Sequence, residues 1–310
     1  MKKYDLIIIG SGPAGLSAAV YGRRAGLDLI VLEKNYMSGG QVLNTYEVDN
    51  YLGIPGINGF DMGMQFRAHA DKLGTEFVAA EVSKVEDTDS CKLVHTDQGV
   101  FAASTVIYAA GAAHAHLNVP GEERLIGRGV SYCATCDGAF FRGKTVAVVG
   151  GGDVALEDAI YLARFCEKVY CIHRRDTFRG AHILQEGLFA QKNVEILYHQ
   201  TVTEILGENQ VSGVRLQNVV SGEVSTLSLD GVFIAVGIQP NTELVSELVS
   251  CENGYIVAGE DCVTDCEGIF AAGDVRKKPL RQIVTAVADG ANAVTSAGTY
   301  LNKIAKKVRE

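Results

Sequence analysis

The stretch YDLIIIGSGPAGLSAAVYGRR at residues 4–24 decides the fold of the first part of this chain. An apolar run meets three glycines spaced as GxGxxG, and small residues then continue. This pattern predicts a buried strand over Tyr4–Ile9, a tight turn and a helix over Leu16–Arg24. A second predicted strand, Leu27–Leu32, is followed by Glu33, which completes a βαβ unit of the kind that binds a dinucleotide.

The same organisation recurs in the middle of the chain, around GGGDVA at residues 150–155. Thr145–Val149 is predicted to be a strand, Leu156–Phe165 a helix and Lys168–Ile172 the next strand. One glycine-rich loop is a weak indication of nucleotide binding, because such turns also join ordinary strands and helices. Two copies, each between a predicted strand and a predicted helix, indicate two nucleotide sites.

The two copies differ in the residues that follow their second strand. The first copy has Glu33 there, and a carboxylate suits the free hydroxyls of a ribose. The second copy has HRR at 173–175, with Arg179 nearby, and guanidinium groups make paired contacts with a 2′-phosphate. We therefore predict FAD at the first site and NADPH at the second.

Three further apolar runs end at glycine and are expected to close the sheets: VIYAAGA at 106–112, VFIAVGIQPN at 232–241 and GIFAAGD at 268–274. The second nucleotide unit lies between the first two of these runs. The sequence therefore predicts an α/β fold with two Rossmann-like dinucleotide-binding domains, in which the NADPH domain is inserted into the FAD domain. The predicted FAD domain comprises residues 1–116 and 241–310, and the predicted NADPH domain comprises 117–240.

The motif CATCD at residues 133–137 carries two cysteines at the spacing of disulfide-exchange enzymes. Cys133 and Cys136 could instead form half of a zinc site, but such sites usually need a second ligand pair, and the chain has no other CxxC. We predict a redox-active dithiol and no metal. Asp137 is the candidate general acid, and the alternative is that it only caps a turn before Gly138.

Composition limits the remaining possibilities. The chain has 310 residues, of which 47% are hydrophobic and 21% charged, which is sufficient for ordered domains with proper cores. Its formal charge of −9 disfavours nucleic acid as a partner. The first apolar run is too short for a signal peptide, and no run approaches the length of a membrane span. We predict a cytoplasmic protein with no membrane partner.

The other cysteines and two histidines receive no catalytic prediction. Cys262 and Cys266 are expected to be structural thiols in a surface strand and turn, and Cys91, Cys166 and Cys171 small core residues. His114 and His116 follow a predicted strand end, where a solvated loop is expected. No metal role is predicted for any of them.

Six motifs together resemble the low-molecular-weight thioredoxin reductases, which are class II pyridine nucleotide-disulfide oxidoreductases: GSGPAG at 10–15, GGQ at 39–41, CATCDG at 133–138, GGGDVALEDA at 150–159, HRRDTFR at 173–179 and AAGDVRKKPLRQI at 271–283. The likeness extends over nearly the whole chain. It implies a homodimeric FAD enzyme that uses NADPH to reduce the disulfide of thioredoxin. Relatives that reduce ferredoxin lack the active CxxC, which this chain keeps.

The resemblance also implies two sets of cofactor contacts. Those along FAD are Gly10, Gly12, Pro13, Ala14, Gly15, Glu33, Gly40, Gln41, Asn50, Gly111, Gly273, Asp274, Arg281, Gln282 and Ile283. Those along NADPH are Gly150, Gly152, Asp153, Val154, Ala155, His173, Arg174, Arg175 and Arg179. Val154 departs from the family, which commonly has Ser or Thr there, and one lost hydrogen bond costs about 0.5–1.5 kcal/mol.

The predicted reaction has three steps. NADPH delivers hydride to the flavin, the flavin passes two electrons to the Cys133–Cys136 disulfide, and the dithiol exchanges with the disulfide of thioredoxin. Because the dithiol and the NADPH loop share one domain, we expect that domain to rotate about its two crossover segments and present each in turn.

Two alternative enzymes use the same motifs. One is a flavin-dependent dithiol oxidase, and the other is a reductase of another thioredoxin-like protein. The arginine cluster disfavours the oxidase, which has no need of NADPH. A third alternative, a redox sensor without catalysis, would bind FAD and reduce no disulfide.

Overall fold

The computed structural model describes residues 2–45, 48, 50–132 and 134–309. Its strands are β1 (Lys3–Ile9), β2 (Leu29–Glu33), β3 (Glu76–Ala79), β4 (Val82–Asp87), β5 (Lys92–Thr96), β6 (Gly99–Tyr108), β7 (Ala112–His114), β8 (Val130–Ser131), β9 (Thr145–Gly150), β10 (Lys168–His173), β11 (Val194–Tyr198), β12 (Gln200–Leu206), β13 (Gly213–Asn218), β14 (Val224–Ser228), β15 (Gly231–Ala235), β16 (Ile238–Pro240), β17 (Cys251–Glu252), β18 (Tyr255–Ile256) and β19 (Ile269–Ala271). Its α-helices are α1 (Pro13–Arg24), α2 (Gly59–Lys72), α3 (Ala134–Asp137), α4 (Asp153–Ala163), α5 (His182–Phe189) and α6 (Ile283–Arg309).

The described chain divides into two units. The first consists of the residues up to Ala113 together with those from Gln239 onward, and the second is His114–Ile238. The sequence predicted the changes of domain at 116/117 and 240/241. Which cofactor each unit binds stays a prediction.

The first unit is built on a seven-stranded sheet. Strands β3, β2, β1 and β6 run parallel, β19 joins β6 in parallel, and β5 and β4 extend the sheet in antiparallel order. Leu6 and Ile8 point into one buried cluster, whereas Ile7 and Ile9 point into another. Because both faces of β1 are buried, its sequence is an unbroken apolar run.

Strand β1 lies between β2 and β6, so the order of the sheet reverses at this strand. Open α/β sheets bind their ligands outside the carboxyl ends of the strands at such a reversal. The carboxyl end of β1 is Ile9. Gly10 therefore lies at the crevice where a ligand is expected.

Helices α1 and α6 pack closely through small residues. A Cβ atom placed on Gly290 of α6 would lie 2.2 Å from the carbonyl oxygen of Ala14 and 2.8 Å from the amide nitrogen of Ala18. Only glycine permits this approach. The packing brings the first half of α6 next to the first glycine loop.

The second unit repeats this plan. Its five-stranded sheet has the order β11-β10-β9-β15-β8, and every pair in it is parallel. Strand β9 lies between β10 and β15, so the order again reverses at the strand that precedes the glycine loop. A separate antiparallel sheet contains β12, β13 and β14.

The predicted α/β class and both βαβ units are confirmed. The helices begin earlier than predicted, α1 at Pro13 rather than Leu16 and α4 at Asp153 rather than Leu156. In each case the first helical turn follows the glycine turn directly. Among the described residues, none of the helices combines the length and the apolarity needed to cross a membrane.

Candidate active site

The first glycine loop joins β1 to α1. Gly10 has a φ of 98°, and a Cβ atom there would lie 2.5 Å from the carbonyl oxygen of Ala109. A Cβ atom on Gly15 would lie 1.9 Å from the carbonyl oxygen of Gly10. Helix α1 begins at Pro13, and the Gly12 that precedes it has no side chain with which to cap the helix. The first amides of α1 are therefore available to an anion.

Glu33 lies at the carboxyl end of β2 and is bound to the same loop. Its Oε2 accepts hydrogen bonds from the amide (2.8 Å) and the hydroxyl (2.7 Å) of Ser11. Its Oε1 accepts from the amide (2.8 Å) and the side-chain Nδ2 (2.9 Å) of Asn35. These four bonds fill the acceptor positions of a carboxylate. A ribose hydroxyl that binds Glu33 has to replace one of them.

The GGQ segment lies against this loop. A Cβ atom on Gly40 would lie 3.1 Å from the Cα of Gly12. Gln41 donates a hydrogen bond from Nε2 to the carbonyl oxygen of Ala112, the neighbour of Gly111. The structure thus brings Gly12, Gly40 and Gly111, which are far apart in sequence, to one region.

Gly273, in the C-terminal part of the chain, packs against the first glycine loop, and Asp274 follows it. A Cβ atom on Gly273 would lie 2.9 Å from the Cβ of Ala14. Oδ1 of Asp274 is buried and has no hydrogen-bond partner among the described residues, although Nζ of Lys278 is 3.9 Å away. Burial raises the pKa of Asp274, and the positive charges of Lys278 and Arg281 partly oppose this. A buried acceptor without a donor suits a hydroxyl group of a ligand.

Arg281 and Gln282 directly precede α6, which begins at Ile283. The guanidinium carbon of Arg281 lies 3.8 Å from the centre of the Tyr255 ring, and its Nε is buried without a hydrogen-bond partner among the described residues. Oε1 of Gln282 accepts a hydrogen bond of 2.9 Å from Nδ2 of Asn50. Ile283 packs against a small apolar cluster that contains Val42, Val48 and Met62.

The second glycine loop joins β9 to α4. A Cβ atom on Gly150 would lie 2.3 Å from the carbonyl oxygen of Ala235 and 2.7 Å from the Cβ of Ala155, which is fully buried. Around Gly152, in contrast, no atom lies within 4 Å of a Cβ position. Gly150 is therefore required by packing, whereas Gly152 leaves open space in front of α4.

Asp153 and Val154 form the first turn of α4. Oδ1 of Asp153 accepts a hydrogen bond of 2.7 Å from the amide of Ala181, which fixes the segment before α5. Val154 is 46% exposed. The position at which the family carries a hydroxyl group is therefore open to solvent.

The basic cluster lies beside the second loop. His173 is buried at the end of β10, and a Cβ atom on Gly151 would lie 2.3 Å from its ring. Burial lowers the pKa of His173, although hydrogen bonds from its ring oppose this. The three arginines Arg174, Arg175 and Arg179 are exposed, and none forms an ion pair with any described residue. Three unpaired cations beside a glycine loop suit a phosphate group.

The short helix α3 and the Gly138 that follows it pack against α4. Cys133 lies outside the described residues, and so does the side chain of Cys136, whose backbone belongs to α3. Asp137 ends α3 and is half-buried. A Cβ atom on Gly138 would lie 3.0 Å from the side chain of Leu162 and 3.0 Å from that of Phe165.

A hydrogen-bonded network precedes the dithiol. The hydroxyl of Tyr132 donates to Oε1 of the buried Glu122 (2.6 Å) and lies 2.7 Å from Nδ1 of His116. The amide of Leu117 also donates to Glu122. Burial alone would raise the pKa of Glu122, but these hydrogen bonds lower it.

The expectation of a solvated loop is confirmed for His116, which lies outside the helices and strands and is exposed. For His114 it was wrong, because this residue belongs to β7 and is partly buried. His116 takes part in the network just described. Burial lowers the pKa of His114.

Comparison with known proteins places the chain in a family. Residues 4–290 match the family model of the pyridine nucleotide-disulphide oxidoreductases. The chain belongs to this family. Its relatives include the thioredoxin reductase of Bacillus subtilis, which is 45% identical over 310 residues that cover 99% of this chain and 98% of the relative.

Two solved structures from the family resemble the whole chain. The thioredoxin reductase of Lactococcus lactis in its FR conformation has a TM-score of 0.88 and 42% identity, over 97% of this chain and 100% of the other. The thioredoxin reductase of T. acidophilum has a TM-score of 0.85 and 33% identity, over 98% of this chain and 100% of the other. The predicted resemblance to thioredoxin reductases is thus confirmed.

Membership of the family makes this chain an oxidoreductase that uses a flavin and a nicotinamide cofactor. The residues predicted to contact FAD all lie in the first unit, and those predicted to contact NADPH all lie in the second. The roles of the individual residues stay predictions.

Sequence reasoning missed an ionic network of the first unit. Asp289 of α6 accepts hydrogen bonds from Arg276 and Lys278 and from the amide of Gly273. It thereby fixes the backbone from which Asp274 projects. The only sign of this network in the sequence was that Asp289 is the single acid of α6.

Sequence reasoning also missed Asp158, a partly buried acid of α4. Burial raises its pKa to about 7, and the neighbouring charge of Glu157 contributes. An acid on a largely apolar helix was again the indication in the sequence.

Outside the CATC motif, Cys166, Cys171 and Cys262 are buried, whereas Cys91 and Cys266 are partly exposed and Cys251 is exposed. Burial raises the pKa of Cys166 and Cys266 to about 11 and that of Cys171 and Cys262 to about 12. Cys262 lies in the core, so its predicted surface position was wrong. Groups of residues suited to a metal ion are absent from the described part of the chain.

Proposed function

We propose that this chain is a thioredoxin reductase, which moves two electrons from NADPH, through FAD and the Cys133–Cys136 disulfide, to the disulfide of a thioredoxin. The observation that carries the proposal is the packing of α3, which contains the backbone of Cys136, and of Gly138 against α4. Gly138 packs against Leu162 near the C-terminal end of that helix, and the second glycine loop forms its N-terminal end. The same helix therefore contacts α3, which contains the backbone of Cys136, and begins at the second glycine loop.

The first glycine loop and its neighbours fit FAD. The available amides at the start of α1 suit a pyrophosphate, and the buried Oδ1 of Asp274 and Nε of Arg281 suit polar atoms of the cofactor. Bound FAD supplies the carrier that accepts hydride from a nicotinamide and passes electrons to a disulfide. We propose the FAD contacts that the resemblance implies, with Glu33 exchanging one of its present donors for a ribose hydroxyl.

The second glycine loop and the basic cluster fit NADPH. Gly152 leaves room for a close approach of the pyrophosphate to the start of α4. The exposed guanidinium groups of Arg174, Arg175 and Arg179 are free to form charge-assisted hydrogen bonds with a 2′-phosphate. The buried ring of His173 packs against Gly151 and thereby supports the second glycine loop.

The dithiol exchanges electrons with the partner in two steps. The thiolate of one cysteine attacks the disulfide of thioredoxin, forms a mixed disulfide and displaces a thioredoxin thiolate. The second cysteine then attacks the mixed disulfide, restores the Cys133–Cys136 bond and releases reduced thioredoxin. Each later reduction of that bond consumes two electrons and two protons, and we propose that Asp137 delivers one of these protons to the leaving thiolate.

The predicted homodimer and the predicted cytoplasmic location are part of this proposal. The resemblance to the family supports both. The expected partner is a thioredoxin or a thioredoxin-like protein.

Oxidation of NADPH by the purified flavoprotein tests the proposal. The rate is measured anaerobically with and without thioredoxin, and NADH is run in parallel. We expect turnover that needs thioredoxin and prefers NADPH. The Cys133→Ser and Cys136→Ser variants should each lose this turnover while the flavin is still reduced by NADPH.

Other outcomes identify the alternatives. Oxygen consumption with a small dithiol, without any need for NADPH, would indicate an oxidase. Flavin reduction by NADPH without stimulation by thioredoxin would indicate a different disulfide as the acceptor. If neither nucleotide reduces the flavin, the assignment of the second unit is wrong.

A further inference from the structure

Arg281 is held by an aromatic ring that no sequence motif identified. Its guanidinium carbon lies 3.8 Å from the centre of the Tyr255 ring, well within the 6 Å or so of a cation–π contact. Its Nε is buried and has no hydrogen-bond partner among the described residues. The ring therefore provides a contact for Arg281 while leaving a polar atom of the guanidinium group available.

The backbone fixes the position of this ring. Tyr255 lies in β18, which pairs with β17 through a turn at Asn253 and Gly254, whose φ values of 52° and 83° are those of a two-residue hairpin turn. The next residue, Ile256, is fully buried, and its carbonyl oxygen accepts a hydrogen bond of 2.8 Å from the amide of Lys277. The hairpin is thus attached to the segment that carries Asp274 and Arg281.

The contact between Tyr255 and Arg281 reduces the rotameric freedom that a free arginine side chain would lose on binding a ligand. An arginine side chain has many rotamers, and ordering it costs conformational entropy. A stacked aromatic ring restricts the plane of the guanidinium group, so that its N–H donors point in a defined direction. Arg281 and Asp274 are close enough for the charge of the former to affect the pKa of the latter.

We propose that Tyr255 is a positioning residue for the flavin: its ring holds the guanidinium group of Arg281 in the orientation in which its N–H groups meet FAD. This inference rests on the proposed function, because the contact between Arg281 and FAD belongs to that proposal. Tyr255 itself acts through Arg281. The aromatic face, rather than the hydroxyl, carries the effect.

The dissociation constant of FAD tests the inference. It is measured on holoenzyme by dilution and separation of free from bound flavin. Tyr255→Leu should raise the constant by about 3- to 30-fold, which corresponds to a cation–π contact of about 0.7–2 kcal/mol. Tyr255→Phe keeps the aromatic face, so its dissociation constant for FAD should lie within about twofold of the wild-type value.

A double-mutant cycle separates this role from a general loss of structure. Because the two side chains act together, adding Tyr255→Leu to Arg281→Leu should weaken FAD binding little beyond the effect of Arg281→Leu alone. Glu252→Ala is the matched control on the same hairpin, since it removes the contact of Glu252 with Lys277 and leaves the ring in place. Its dissociation constant should be that of the wild type.

The outcomes are distinguishable. If Arg281→Leu leaves FAD binding unchanged, the proposed contact between Arg281 and FAD is wrong, and this inference fails with it. If Arg281→Leu weakens binding and Tyr255→Leu does not, or if the two effects simply add, only the role of Tyr255 is refuted. An equal loss in Glu252→Ala would attribute the effect to the hairpin and also refute the role of the ring.

Discussion

Nη2 of Arg276 lies 2.9 Å from Oδ1 of Asp289, and the two side chains are only 4% and 3% exposed. Nε of the same guanidinium group donates to Oδ2 at 3.3 Å, so the pair is joined by two hydrogen bonds. Lys278 adds a third contact at 2.9 Å. Asp289 also accepts from the amide of Gly273, and thus this ionic network determines the path of the chain at Asp274.

Removal of one partner from this network should strongly destabilise the protein. Asp289→Leu removes the carboxylate that is hydrogen-bonded to both buried cations, and breaking a buried pair typically costs about 3–5 kcal/mol. Urea unfolding at saturating FAD measures the loss. Glu267→Gln removes the exposed pair with Lys303 and serves as the control, for which we expect little change. Equal stability of the two variants would contradict the importance of the buried network.

Asp158 should make the stability of the second unit depend on pH. Its pKa is raised from 3.8 to about 7 in the folded protein, so the folded state holds a proton that the unfolded state has lost between these values. Stability therefore falls as the pH rises from about 4 to about 7. At about 1.4 kcal/mol for each pKa unit, the charged form costs up to about 4 kcal/mol above about pH 8.

The variant Asp158→Asn tests this dependence. It cannot ionise, so its thermal unfolding temperature should exceed that of the wild type above about pH 8 and should vary less between about pH 5 and 8. Asp230→Asn, a change in the same unit at a group whose carboxylate accepts from the amide of Thr145, is the control that should keep the wild-type pH dependence. A parallel pH dependence in Asp158→Asn and the wild type would show that the burial of Asp158 is unimportant.

The arginine cluster should determine the choice between NADPH and NADH. Replacement of Arg174 and Arg175 by Ala removes charge-assisted hydrogen bonds of about 1.5–3 kcal/mol each, so the KM for NADPH should rise by at least tenfold. The KM for NADH and the value of kcat should change little. The control is Arg164→Ala, whose guanidinium carbon lies 5.7 Å from the Tyr161 ring. An unchanged ratio of KM values in the double variant would refute the assignment.

Two glycines of the second loop should respond differently to alanine. In Gly150→Ala the new methyl group would overlap the carbonyl oxygen of Ala235, and the strain should lower the free energy of unfolding by about 1–3 kcal/mol or more. Gly152→Ala meets open space, so stability should be kept. Its methyl group should instead weaken NADPH binding by obstructing the pyrophosphate. Normal NADPH binding in a stable Gly152→Ala variant would place the cofactor elsewhere.

Asp137→Asn should slow thioredoxin-dependent turnover without loss of flavin. A positioned general acid typically contributes a factor of about 10²–10⁴, so kcat should fall by at least a hundredfold. The loss should be smallest at low pH, where solvent supplies protons more readily. Asp176→Asn, at an exposed position of the same unit, is the control. Full turnover by Asp137→Asn would leave Asp137 with only a capping role.

The strand–turn–helix units were predictable because their determinants are local. The apolar run before Gly10 and the small residues after it specify β1 and α1 within about twenty residues of chain. The same holds for β9 and α4 around Gly150. The contrast between Glu33 and Arg174 lies at the end of a strand in each copy, so sequence position alone was sufficient to find it.

The close approaches between distant segments were not predictable in detail. Gly273 touches Ala14, and Gln41 binds the carbonyl of Ala112, only because the sheet brings these loops to one edge. The resemblance to a family named these residues, but their mutual contacts follow from the order of the strands. The acceptor positions of Glu33 that Ser11 and Asn35 fill were likewise invisible in the sequence.

The sequence by itself determined the two strand–turn–helix units and the CATC motif, since each depends on neighbours along the chain. Only the tertiary structure decided which buried charges face one another. The carboxylate of Asp289 is buried together with Arg276 and Lys278, and Tyr255 covers Arg281, through packing between elements that have no common local pattern. A buried charge needs a partner in space rather than in sequence, and folding alone brings that partner within a few ångströms.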